Sequence, residues 1–194
     1  SGETTSTTGD TAQYATSTQG LTYLSKAGLL NKCSETSTAC QAKILTREEA
    51  AAVVAIVGGV PLDAPNAYSD DDTSIYQSAI NGMPYYGMQV CFRSPFEYLP
   101  KEPVLRDQFA CMIVRAMKAG TTADLEGSSE KFSDIGASGF QSNINTLAAN
   151  DVVPECSSLA DKFCPSRKIS IGEVSYIVDK LVSKSLIGSN LFDT

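Results

Sequence analysis

Leu45-Thr46-Arg47-Glu48-Glu49-Ala50-Ala51-Ala52-Val53-Val54-Ala55-Ile56-Val57-Gly58-Gly59 reads as one helix with both ends marked. Thr46 is an N-cap, and Glu49 three residues on completes a capping box. Gly58-Gly59 tolerates the left-handed conformation that ends a helix, and Pro61 prevents its restart. Between the two ends almost every residue is apolar, so the helix is expected to be buried on most of its circumference. Only Arg47, Glu48 and Glu49 stand where water or a ligand can reach.

The device recurs. Val104-Leu105-Arg106-Asp107-Gln108-Phe109-Ala110-Cys111 and Ile169-Ser170-Ile171-Gly172-Glu173-Val174-Ser175-Tyr176 share its layout. Ser170 and Glu173 rebuild the capping box, whereas Leu105 and Gln108 replace both of its members. The first helical positions, 47, 106 and 171, lie 59 and 65 residues apart. A period near 60 indicates internal triplication.

The flanking sequence repeats too. Tyr76-Gln77-Ser78-Ala79-Ile80-Asn81 aligns without a gap on Phe140-Gln141-Ser142-Asn143-Ile144-Asn145, and Asp70 on Asp134. Tyr98-Leu99-Pro100 aligns on Phe163-Cys164-Pro165. Each unit is thus an Asp-containing turn, a first helix, an aromatic-x-Pro loop and a capped second helix. In the first unit the first helix is read over Thr22–Leu30, with Gly28 as its terminator. Gly82 and Pro84 predict a short or kinked first helix in the second unit. The division is a Thr-rich arm at 1–13, units at 14–62, 63–120 and 121–186, and a tail at 187–194. One helix pair cannot bury both its faces, but three pairs can close around a shared centre.

Composition narrows the function. The 194 residues carry a net charge of −7, which argues against general nucleic-acid or anionic-membrane binding. Histidine is absent, which removes most nucleophile–base and transition-metal chemistry. The longest apolar run, Ala50 to Leu62, is too short to span a bilayer. No signal-peptide pattern stands at Ser1, as expected of a mature or trimmed form. Six cysteines in an acidic, Ser/Thr-rich chain point to an oxidising compartment. Cys33 and Cys40 bracket the loop before the first capped helix, and Cys156 and Cys164 the equivalent loop of the third unit. The pairs 33–40 and 156–164 are therefore expected, leaving Cys91 to reach Cys111. No C-x-x-C pair supports zinc, and Asp70-Asp71-Asp72 has the wrong spacing for an EF-hand. No recurring carboxylate pair suggests glycoside cleavage, so neither catalytic residue, metal nor cofactor is expected.

Phe132-Ser133-Asp134, Leu24-x-x-x-Gly28-Leu29-Leu30, Phe163-Cys164-Pro165 and Leu45-Thr46-Arg47-Glu48-Glu49, in this order and three times over, resemble S-layer homology repeats. The resemblance covers about 14–186. It implies an all-α, pseudo-threefold domain: a central bundle of three capped helices, three prongs, and here disulfide-stapled loops. It implies a non-enzymatic protein outside the cell, at the cell wall or surface layer. Such a module binds acidic, often pyruvylated, secondary cell-wall polysaccharide in grooves between prongs. The arginine role carries over to Arg47 and Arg106, with Glu49 beside Arg47 in the motif. A guanidinium suits a ketal carboxylate, and a helix N-terminus adds partial positive charge beside it. Asp70 and Asp134 are placed to accept sugar hydroxyls, and Tyr76 and Phe140 to stack on sugar. The third arginine is missing, because position 171 is Ile, and tryptophan is absent.

Plainer roles stand beside these. Arg47 can be a solvated first-turn residue, Asp70 and Asp134 can cap the helices that follow them, and Tyr76 and Phe140 can be core or groove wall. The alternative function is a self-assembling subunit of an extracellular filament or surface layer. It is motivated by the eroded sugar motifs, the absence of a cargo domain, the Thr-rich arm and the Leu191-Phe192 tail.

Overall fold

The computed structural model describes residues 15–30, 38–92, 97–120, 125–156 and 159–193. Within them the chain is all-α, with helices α1 (Thr18–Lys26), α2 (Thr38–Gln41), α3 (Arg47–Gly58), α4 (Gln77–Gly82), α5 (Arg106–Gly120), α6 (Gln141–Ala149) and α7 (Ile171–Ser183). Short 3-10 turns cover Met83–Tyr86, Met88–Cys91 and Ser189–Phe192. No strand forms among the described residues.

Helix ends follow the local chemistry. Thr46 and Ser170 cap α3 and α7, each in a capping box with Glu49 or Glu173. Leu105 has no hydroxyl to offer, yet its N–H still donates to Gln108 Oε1 at 2.9 Å, so half of the box survives in α5. Gly59 ends α3 in the left-handed region at φ 60°. The helix before Pro84 stops at Gly82 and tightens into a 3-10 turn, because the proline ring removes a donor. Helix α1 begins at Thr18, four residues before the sequence pattern placed it, because Ser17 accepts from the Gly20 N–H as an N-cap.

The three capped helices are joined at their N-terminal ends. Leu45 N–H donates to Ile169 O (3.0 Å), Ile169 N–H to Val104 O (2.9 Å), and Val104 N–H to Leu45 O (3.0 Å). Two residues further out the pattern repeats, from Arg47 N–H to Glu102 O, Arg106 N–H to Arg167 O and Ile171 N–H to Lys43 O. Three isolated β-bridges, Ile44 with Ser170, Thr46 with Pro103 and Leu105 with Lys168, mark the same closed ring. These bonds satisfy helix-end amides that would otherwise be orphaned.

Helix packing is cyclic as well. Helix α4 packs on α3, α6 on α5, and α1 on α7. Each first helix therefore lies on the capped helix of the unit before it, and the first unit closes onto the last. Along their lengths α3 and α5 pack together, while α7 packs most extensively on α1. Glycines set both approaches. A Cβ on Gly120 would stand 2.4 Å from Gly58 O, and one on Gly20 would stand 1.8 Å from Ser175 O. Val54, Ala50, Phe109, Met112, Ile113, Val174 and Val178 fill one continuous core. Disulfides Cys91–Cys111 and Cys156–Cys164 pin the second and third loops as expected. Cys40 is disulfide-bonded too, while Cys33, its expected partner, lies outside the described residues, as does the arm at 1–13.

Candidate functional site

The aromatic-x-Pro loops are held by the turn aspartates. Asp70 Oδ1 and Oδ2 accept from the N–H groups of Tyr98 and Leu99, both at 2.8 Å. Asp134 does the same for Phe163 (2.9 Å) and Cys164 (2.8 Å). Leu99 and Cys164, each just before a proline, sit in the left-handed region at φ 56° and 54°. That conformation is uncommon for non-glycine residues, and the two-pronged carboxylate clamp holds it in place. Neither aspartate caps the helix that follows, since α4 and α6 begin at Tyr76 and Phe140 without a side-chain cap.

Each clamped loop then presents its carbonyls to a capped helix. Pro100 O accepts from Glu48 N–H at 3.0 Å, and Pro165 O from Asp107 N–H at 3.1 Å. The first amides of α3 and α5 are therefore occupied by protein carbonyls rather than open to a ligand.

The two candidate arginines part company here. The Arg106 side chain is 1% exposed. Its Nε donates to Phe163 O (2.7 Å) and its Nη2 to Pro154 O (2.6 Å), its guanidinium lies over the Phe163 ring, and its Nη1 is ion-paired with Glu173. Burial, with Arg167 nearby, pulls its pKa below the ordinary arginine value. Glu173, fully buried, also accepts from Arg167 Nη2 at 2.9 Å and from the Ser170 N–H at 3.2 Å. Arg106 is thus enclosed and neutralised, a structural cation in the ring.

Arg47 is half-buried. Its guanidinium lies 4.5 Å from the Phe92 ring centroid, and Nη1 donates to Tyr98 O at 3.1 Å. Among the described residues no carboxylate lies within 4.0 Å of it, although Glu102 and Asp70 stand further off. Desolvation lowers its pKa, and those acids and Tyr98 oppose the shift. The Tyr98 hydroxyl donates back to Arg47 O at 2.9 Å, and burial raises its pKa well above the usual phenol value. The residue at the position Glu173 holds in α7 is, in α5, the neutral Gln108.

Glu49 is held in the capping box of α3, and Tyr76 lies near enough for Glu49 and Glu48 to raise its pKa after burial does so. Tyr76 lines an apolar cavity of about 380 Å³ with Ala55, Ile56, Leu62, Ile75 and Leu191. Phe140 lines a more polar one of about 460 Å³ with Asp107, Gln108, Ser138 and Ser166. The structure thus brings Arg47 and Asp70 together through the Tyr98 loop, Arg106 and Asp134 through the Phe163 loop, and Glu49 with Tyr76.

Two serines escaped the sequence reading. Ser74 Oγ donates to Glu48 Oε2 at 2.6 Å and accepts from the Tyr76 N–H. Ser138 Oγ donates to Asp107 Oδ2 at 2.8 Å and accepts from the Phe140 N–H. They tie the starts of α4 and α6 to the capped helices α3 and α5. Their common place four residues after Asp70 and Asp134 was the available signal.

Asp134, Cys156 and Cys164 converge closely enough to suggest metal ligands, but both cysteines are committed to a disulfide and offer no thiolate. No helix among the described residues is long and apolar enough to cross a membrane. A scan against protein-family models finds no match to this chain, and a search of curated proteins finds none.

Proposed function

We propose that this chain is a non-enzymatic module of the cell exterior that binds an acidic, pyruvylated wall polysaccharide at Arg47. The observation that carries the reading is the contrast between its two candidate arginines. Arg106 is sealed against Glu173, while Arg47, with no carboxylate within 4.0 Å among the described residues, keeps its guanidinium spread over Phe92 and partly open to solvent. A planar cation of this kind suits a carboxylate in bidentate geometry. The cavity beside Phe140, lined also by Gln108 and the exposed Ser166, suits a neutral sugar of the same polymer. The closed ring of hydrogen bonds and the cyclic helix packing support an S-layer-homology-like, pseudo-threefold arrangement. The disulfides fit an oxidising exterior such as a cell wall or surface layer.

Retention on protein-free cell-wall sacculi tests this. A charged hydrogen-bonded contact is worth about 1.5–3 kcal/mol, so Arg47→Ala should weaken retention about 10- to 100-fold. Removal of the pyruvyl ketal from the polymer should do the same to the native chain. Unchanged retention by a folded Arg47→Ala variant refutes the site.

A further inference from the structure

The face of α5 that carries Gln108 continues past the Phe140 cleft. Residues seven apart on a helix share a face, so Cys111 and then Arg115 follow Gln108 along it. At 1.5 Å per residue Arg115 stands about 10 Å further on. On either side α5 packs against α6 and against the turn Met88–Cys91, which the Cys91–Cys111 disulfide pins in place.

These three segments carry no acid. Residues 77–92, 108–120 and 140–150 hold none of the chain's 22 aspartates and glutamates. Their only charges are Arg115 and Lys118, so a cationic strip runs through a chain of net charge −7. Lys118 is exposed and Arg115 half-buried. The Arg115 guanidinium lies against Gly87, where an added Cβ would stand 3.1 Å from its Nη1. Arg115 Nε is buried without a hydrogen-bond partner, and among the described residues no carboxylate pairs with this side chain. Two residues past Gly87, Gln89 Oε1 is buried and unbonded as well. The related positions of the other units differ. Ile56 is apolar, and Lys180 Nζ lies 5.4 Å from the Tyr176 ring centroid. A guanidinium that is partly desolvated and left unpaired is the group an incoming carboxylate satisfies best.

We propose that Arg115, not Arg106, is the second carboxylate-binding cation of this protein. It takes an acidic unit of the wall polymer whose neutral neighbour lies in the Phe140 cleft. The inference rests on the polysaccharide reading above and adds a subsite to it. The acid-free walls let the strip attract an anionic polymer despite the negative charge of the whole chain.

Arginine side-chain NMR tests this on the native 15N-labelled chain. The probe is an oligosaccharide released from pyruvylated wall polysaccharide, used with and without its ketal. The Nε–Hε signals of Arg47 and Arg115 should shift saturably with the pyruvylated probe, that of Arg106 should stay, and the Arg115 shift should vanish with the depyruvylated one. A shift at Arg47 alone overturns the Arg115 subsite and leaves the polysaccharide reading standing. No shift at either, with no binding by titration calorimetry, removes both. An equal Arg115 shift with the depyruvylated probe also overturns the subsite. By calorimetry, Arg115→Gln should weaken binding about 10- to 100-fold. Arg115→Lys should lose less, since lysine keeps the charge without the planar fork. A folded Arg115→Gln chain that binds as tightly as the native one refutes the proposal.

Discussion

Glu173→Gln should unfold this protein far more readily than Glu49→Gln, although both residues hold the same place in the same motif. Glutamine can serve a capping box here, as Gln108 does for the Leu105 N–H at 2.9 Å. Both substitutions therefore keep the box and remove only charge. At position 49 the carboxylate is half-buried, no arginine pairs with it among the described residues, and the cost should stay below about 1 kcal/mol. At position 173 the carboxylate is fully buried, and its loss leaves Arg106, 1% exposed, as an uncompensated internal cation. Breaking a buried pair from one side costs about 3–5 kcal/mol. Arg167 is less affected, since its side chain is 24% exposed and can turn to water. Urea unfolding with disulfides intact, followed by far-ultraviolet circular dichroism and tyrosine fluorescence, reads the difference in a chain without tryptophan. At an m value of about 2 kcal/mol/M the midpoint should drop by roughly 2 M for Glu173→Gln. Adding Arg106→Met should recover a large part of the loss, with a coupling above about 1 kcal/mol. Equal costs at 49 and 173, or strict additivity with Arg106→Met, would refute the argument that the ring is locked by one internal charge pair.

Asp71 is buried where the third unit has Ile135, and its carboxyl pKa is raised first by desolvation and then by Asp72 and Asp70. The folded state therefore holds this proton to higher pH than the unfolded chain does, and stability is lost as pH rises through the raised value. Asp71→Ile should raise the melting temperature at pH 7, with the gain shrinking as pH falls through that raised value and levelling off below about 4; a lower melting temperature at pH 7 contradicts this. Asp134→Ala removes the acceptor of two loop amides and should cost about 2 kcal/mol in urea unfolding, with Asp134→Asn near half of that. Two glycines at one helix crossing should differ. A Cβ on Gly58 meets Ala116 at an ordinary 3.4 Å and should be tolerated, whereas one on Gly120 meets the Gly58 backbone at 2.4 Å. Thermal melts should place Gly120→Ala about 1–3 kcal/mol below Gly58→Ala.

The capped helices and the two described disulfides were legible in the chain because their causes are local. Thr46 with Glu49, Ser170 with Glu173, and the Gly59 stop act within four residues, so their spelling is their structure. The recurrence of the motifs was legible for a related reason: the spacing of 64 residues between Asp70 and Asp134, and of 65 between Pro100 and Pro165, needs no fold to be seen. The start of α1 was misjudged by four residues because the apolar spacing at Leu21 and Leu24 is unchanged by where the helix begins, and only the Ser17 cap decides it.

What tertiary structure alone decided is which copy faces which. Arg47 and Arg106 are spelled alike, yet one is half-open over Phe92 and the other is shut against Glu173. The difference comes from a residue 67 positions downstream of Arg106, brought in by ring closure. Likewise, Asp70 and Asp134 spend their carboxylates on the backbone of loops nearly thirty residues away. A sequence specifies each helix and its caps through neighbours along the chain. The burial and charge balance of a side chain at a helix end depend on neighbours in space, and here those neighbours belong to the next repeat.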